Sequence, residues 1–213
     1  MKKKFEFIKS KCKWLRREIL KMVLPATQGH IASALSQVEI CCTLFYGGII
    51  RFKKGNPKFK KRDYFIISKG HSAMGAYPIY ADLGYFNKKY LKTFGKASGK
   101  LRIYGDKSIP GVECTSGSLS QAVGIAAGIA YTKKINKEKN KVYVIISDGE
   151  HYEGSIWETA IFSSHYKLDN LVVIVDNNGI QGSGFVKDIL DVSCIDKVAK
   201  AIGWKVLKIN LHE

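Results

Sequence analysis

Proline, acidic side chains and long apolar runs are all scarce in this chain, and each scarcity excludes something. With 4 Pro and 20 aperiodic Gly in 213 residues, collagen-like and proline-rich disordered classes are out. Nowhere do about 18 apolar residues follow one another, so no membrane-spanning helix is expected. The basic N-terminus also lacks the uninterrupted apolar run of roughly 7–15 residues that a signal peptide needs, and a cytoplasmic location is expected. The 5 cysteines are odd in number and contain no C-x-x-C pair, which speaks against a disulfide framework or a zinc site. They read as reduced, mostly buried thiols.

What is present suits a compact domain: 46% hydrophobic residues, enough for one real core. Lys and Arg number 35 against 18 Asp and Glu, a formal charge of +17, so an anionic partner must be weighed first. The basic clusters fall at 2–17, 51–62, 88–107 and 133–141, in the first helix and in connectors. They form no single surface interleaved with aromatics, so nucleic acid is not the expected partner.

Phe5, Ile8, Cys12, Leu15, Ile19 and Met22 recur at spacings of 3 and 4, which predicts an amphipathic helix over about 4–23. A second helix is expected over 33–46, ended by Gly47-Gly48, and a third over 73–83, closed by Gly84. Tyr64 to Ile67 reads as a short buried strand, and 87–111 as a short helix followed by a surface loop. The segment 121–133 is helical in spacing, with Gly124 and Gly128 on one face, where their cost of about 1 kcal/mol each suggests close approach of a backbone or ligand. Two apolar runs, 142–146 and 171–175, flank a helical stretch at 153–165. That is a βαβ unit, and strands apolar on both sides imply an α/β fold: a parallel sheet with helices on both faces. A last helix and strand are expected at 198–202 and 205–209.

In such a sheet ligands sit beyond the C-terminal ends of the strands. There the two runs end in Ser147-Asp148-Gly149-Glu150 and Asp176-Asn177-Asn178-Gly179. On neighbouring strands, the Asp148 carboxylate and the Asn178 amide oxygen converge, and hard oxygen ligands suit Mg²⁺ or Ca²⁺ holding a diphosphate. Gly149 lets the backbone come close to a phosphate, and a helix opening near Glu153-Gly154 aims N–H groups the same way. The same residue types also build ordinary turns, so the motif alone leaves both readings open.

Asp148-Gly149 followed after 27 residues by Asn177-Asn178 resembles the GDG…NN signature of thiamine-diphosphate enzymes. Gly29-His30-Ile31, Ser68 to Ser72, Pro110 to Glu113, Thr115 to Gln121 and Gly179-Ile180 occur in the order found in the N-terminal, diphosphate-binding part of transketolases. The resemblance covers roughly residues 10–213 and implies the thiamine-diphosphate-binding fold. It makes Asp148, Asn178 and the Ile180 carbonyl the metal ligands. It sets Gly149, Asn178, His71 and Gly117-Ser118-Leu119 along the cofactor, and makes Glu153 a glutamate that bonds across a subunit interface. His30 and His71 become the catalytic histidines near the thiazolium and the donor sugar's hydroxyls. His151, which follows Asp-Gly-Glu and can face the cofactor channel, His165 and His212 are read as structural.

The family pattern is not kept everywhere. Ser147 stands at the first Gly of GDG, and Ser120-Gln121-Ala122 at a Gly-Gln-Gly; each added Cβ is costly only if φ is positive. A substrate-side His in a Gly-His-Pro has no counterpart in 97–107. The pyrimidine-binding domain that supplies the activating glutamate is absent from these 213 residues, and the family's diphosphate domain runs some tens of residues further. The implied protein is a shortened N-terminal subunit of a split transketolase. It would be inactive alone, and would form a heterotetramer with a C-terminal, pyrimidine-domain subunit to act on sugars or sugar phosphates. The alternatives are a related thiamine-diphosphate enzyme of carbohydrate biosynthesis and a catalytically lapsed structural or regulatory subunit.

Overall fold

The structure is a computed structural model that describes residues 2–26 and 28–210. Helices α1 (Lys2–Val23), α2 (Ile31–Ser36) and α3 (Val38–Tyr46) precede strand β1 (Tyr64–Ile67) and helix α4 (Tyr77–Asp82). Then come α5 (Gln121–Ile135), β2 (Val142–Ser147), α6 (Gly154–His165) and β3 (Leu171–Asp176). A small hairpin, β4 (Ile180–Gln181) and β5 (Gly184–Phe185), leads into α7 (Val186–Ile189) and α8 (Ile195–Ala201).

The strands lie in the order β1-β2-β3, all parallel, with Ile67 opposite Ile145 and Ser147 opposite Asp176. Because side chains alternate along a strand, the sheet divides its residues between two cores. Phe65, Ile67, Tyr143 and Ile145, with Val172 and Ile174, pack on one side against Leu15, Ile19, Val38 and Phe45 of α1 and α3. Ile66, Val142, Val144, Ile146 and Leu171 pack on the other against Ala122, Ala126 and Ala130 of α5 and Ile156 of α6. The alanine stripe is what lets α5 lie close on the sheet. Helices thus cover both faces, as the doubly apolar strands require.

Four local expectations are corrected. Helix 33–46 is two helices: the chain turns at Gln37 (φ −91°, ψ 7°), whose wholly buried side chain donates from Nε2 to the Ser72 carbonyl (2.8 Å) and accepts from Ser72 Oγ. The stretch before α4 is a 3₁₀ turn, Gly70–Gly75, rather than the opening of one helix. Residues 205–209 form no strand; no described strand pairs with them, and Leu207 and Ile209 are 73% and 75% exposed. A Cβ on Gly128 would meet nothing within 4 Å, and one on Gly124 only Thr159 Oγ1 at 3.7 Å, so no backbone among the described residues approaches either glycine, and both lie exposed. In α1 the buried stripe starts at Cys12, and Phe5 is exposed. Cys12, Cys41, Cys42 and Cys114 are buried free thiols, and Cys194 is exposed. No helix of the described residues is long and apolar enough to cross a membrane.

Candidate active site

Five segments meet at the C-terminal edge of the sheet: the start of α2, the turns after β1, β2 and β3, and the loop before α5. Glycines set how closely they approach. A Cβ on Gly70 would lie 2.7 Å from the Ser116 carbonyl and 2.8 Å from the Gly117 nitrogen, so only glycine lets the His71 turn rest on the 116–117 backbone. Gly29 has φ +115°, and a Cβ there would lie 2.8 Å from Met74 Cε. The two approaches bring His30 and His71 edge to face, with ring centroids 5.0 Å apart. Burial, then the neighbouring His30 and Lys69, pushes the His71 pKa down to about 4, so its imidazole is neutral at pH 7.

Asp148 is 1% exposed. Its Oδ1 accepts from the Gly149 N–H and its Oδ2 from the Gly179 N–H, both at 2.8 Å, so one carboxylate joins the turns after β2 and β3. Asn178 is held nearby: its Oδ1 accepts from the Ile180 N–H (2.9 Å) and its Nδ2 donates to Ser36 Oγ (3.1 Å). Ile180 is the first residue of β4, opposite Phe185. Gly117 and Ser118 are exposed and Leu119 half-buried. The space beside Gly149 is already taken, since a Cβ there would lie 2.8 Å from Gln181 Oε1. His151 is buried, with Nδ1 2.9 Å from the Asp148 carbonyl, and burial lowers its pKa. That contact braces the turn after β2. His165 is exposed against Tyr166, and His212 lies outside the described residues.

Several residues inside the motif segments were given no role by the sequence. Lys69, itself wholly buried, pairs with Asp176, which also accepts from Ser36 Oγ (2.8 Å), while Lys69 Nζ reaches the Ser33 carbonyl at 3.2 Å. Glu150, fully buried, accepts from Ser68 Oγ, Ser120 N–H and Ser147 N–H. Ser120 is left-handed, φ +68°, and its hydroxyl bonds that of Ser155 at the start of α6. The costly branch of the sequence expectation therefore applies to Ser120. Ser147 and Ala122 lie in a strand and a helix, where a Cβ is free.

A divalent cation suits this donor set. Each Asp148 oxygen accepts one backbone N–H and keeps a lone pair, and among the described residues no Lys, Arg or His forms an ion pair with it, so a cation would find both a charge and free acceptor sites there. Residues 9–213 match the family described as "Transketolase, thiamine diphosphate binding domain". The chain belongs to the transketolase family. It is 39% identical to one subunit of the apulose-4-phosphate transketolase of Actinobacillus succinogenes, over 95% of this chain and 74% of that one. With the corresponding subunit of the Phocaeicola vulgatus apulose-4-phosphate transketolase it shares 34% identity, over 93% of this chain and 70% of that one. A crystal structure of Campylobacter jejuni transketolase superposes with a TM-score of 0.89 at 29% identity, covering 98% of this chain. This transketolase-family chain spans 34% of that longer protein, so its fold is that of the transketolase thiamine-diphosphate-binding domain.

Proposed function

We propose that the chain is a single diphosphate-binding domain that holds thiamine diphosphate and Mg²⁺ (or Ca²⁺) in a two-chain enzyme transferring a two-carbon ketol unit from a ketose to an aldose. The observation that carries this reading is the Asp148 carboxylate, buried without a basic partner and tied to Gly179 where the two strand-end turns meet. Asp148, the Asn178 amide oxygen and the Ile180 carbonyl would hold the metal; Gly149, Asn178 and Gly117-Ser118-Leu119 would hold the diphosphate. When bound, the cofactor supplies a carbon nucleophile for cleaving the bond beside a ketose carbonyl.

The chain's own residues bind, orient and move protons. His71, neutral at pH 7, can accept a proton from a sugar hydroxyl, and His30 stands against it to hand that proton on or to bond a second hydroxyl. The two bacterial relatives are each described as one subunit of a transketolase, which implies a separate second chain in those systems. The apulose-4-phosphate in their description supports a sugar-phosphate substrate here. We assign the contact between chains to the outer face of α5 and α6, where Ile125, Ile161 and Phe162 are exposed, with Glu153, also exposed, at the N-cap of α6. A pyrimidine-domain partner completes the heterotetramer. A lapsed subunit is the second reading, favoured by the left-handed Ser120.

Reconstitution decides between the two. The chain mixed with a pyrimidine-domain partner, thiamine diphosphate and Mg²⁺ should transfer two carbons from ketose phosphates to aldoses, and each chain alone should not. Cofactor binding by the pair without turnover on a panel of sugar phosphates establishes the lapsed subunit instead.

A further inference from the structure

We infer that Glu150 is a positioning residue for the cofactor site: one buried carboxylate sets the loop before α5 and the metal-bearing turn after β2 in register with each other. The inference rests on the cofactor-binding reading above and adds to it a residue that touches neither metal nor cofactor.

Glu150 is completely buried, and its oxygens divide their work. Oε1 accepts from Ser68 Oγ at 2.6 Å and from the Ser120 N–H at 2.8 Å, while Oε2 accepts from the Ser147 N–H at 2.7 Å. The three donors come from the turn after β1, the loop before α5 and the end of β2. They lie 82, 30 and 3 residues away in sequence. Each donor also borders a segment of the candidate site. Ser68 precedes Gly70 and His71, Ser120 follows Gly117-Ser118-Leu119, and Ser147 precedes Asp148. The left-handed turn at Ser120 is gripped twice, by Glu150 at its N–H and by Ser155 at its hydroxyl. No described Lys, Arg or His forms an ion pair with Glu150, so neutral donors, these three and the Ser147 hydroxyl at 3.5 Å from Oε2, are what stabilise the carboxylate.

The chemistry of the brace dictates the variant. A carboxylate has acceptors on both oxygens, but a glutamine has one oxygen and one NH₂. The Ser68 hydroxyl can reverse and accept, whereas the two backbone N–H groups cannot. Whichever way the amide of Glu150→Gln points, it faces one backbone donor with another donor, and either Ser120 or Ser147 loses its partner. A shape-preserving change therefore either frees the loop before α5 or loosens the turn after β2 that carries residue 150.

The test compares native chain, Glu150→Gln and Ser68→Ala, each paired with the pyrimidine-domain partner at saturating Mg²⁺. Thiamine diphosphate affinity is measured by calorimetry, and backbone hydrogen exchange is followed on the chain alone. Glu150→Gln should weaken cofactor binding by about tenfold or more, the factor carried by one lost hydrogen bond to a charged group. It should also speed exchange at Ser120 and Ser147 while leaving α1 unchanged. Ser68→Ala, which leaves both backbone donors satisfied, should weaken binding about threefold, and it decides the matter alone if Glu150→Gln does not fold. Native-like affinity in Glu150→Gln, or in Ser68→Ala when that is the only folded variant, overturns the positioning role while leaving the cofactor reading intact. No binding by the native pair overturns both.

Discussion

Lys69 and Asp176 form an ion pair whose side chains are only 1% and 7% exposed, linking the turn after β1 to the last residue of β3. Such a pair need not stabilise more than apolar packing would, yet removing one member leaves a buried charge. Lys69→Met should therefore cost about 3–5 kcal/mol in urea unfolding. Adding Asp176→Leu to it should recover most of that loss. A double variant as unstable as the single one would show that Lys69 acts through packing of its stem.

Ser120 separates backbone strain from hydrogen bonding. Ser120→Ala loses the bond to Ser155 but keeps a Cβ at φ +68°, whereas Ser120→Gly loses both the bond and the strain. The left-handed region costs an ordinary residue about 1–2 kcal/mol. Glycine should thus be more stable than alanine at 120 by about 1 kcal/mol in chemical denaturation, after the entropy of the more flexible unfolded chain is offset. Equal stabilities would mean that the turn relaxes without the Ser120 hydroxyl.

The lowered His71 pKa fixes a pH dependence. Unfolded, the imidazole binds a proton near pH 6.5; folded, it does so only near about 4. Between these values the unfolded chain holds more protons, so His71 makes stability fall as pH drops from about 6.5 to about 4, and adds nothing further above that window. NMR titration should place its midpoint near about 4, and His30→Ala should raise it, because His30 contributes to the depression. A midpoint unchanged by His30→Ala would leave burial and Lys69 as the causes.

The outer face of α6 gives a prediction about assembly. Ile161 is 59% exposed and Phe162 37%, on a helix whose N-cap is Glu153. Ile161→Glu should leave the unfolding midpoint of the isolated chain unchanged and weaken association with the partner chain by about tenfold or more in analytical ultracentrifugation, since burying an unpaired charge is costly. Full association by that variant would place the interface elsewhere.

The strands and the two turns at their ends were legible in the sequence because apolar runs and turn residues are local signals, but the structure ties Asp148 to the Gly179 N–H, while Asn178 bonds Ile180 and Ser36. Gln37 was not: its position within an apolar helical stretch gives no hint that its amide leaves to bond Ser72, 35 residues away. The Lys69–Asp176 and Glu150 networks were invisible for the same reason, since their partners meet only once the parallel sheet has formed. The 205–209 segment carries strand-like residues, but a strand also needs a neighbouring strand, and none of the described strands pairs with it. For Ser120 the sequence supplied the condition, a penalty if φ is positive, and the structure supplied its value.

The central claim is that Asp148 anchors a metal-held diphosphate, and calorimetric titration of thiamine diphosphate into the reconstituted pair tests it most directly. Native protein should bind in the presence of Mg²⁺ and lose binding when the metal is chelated, and Asp148→Ala should abolish the metal-dependent heat while remaining folded by circular dichroism. Binding that is indifferent to Mg²⁺, or equally tight in Asp148→Ala, would contradict the account.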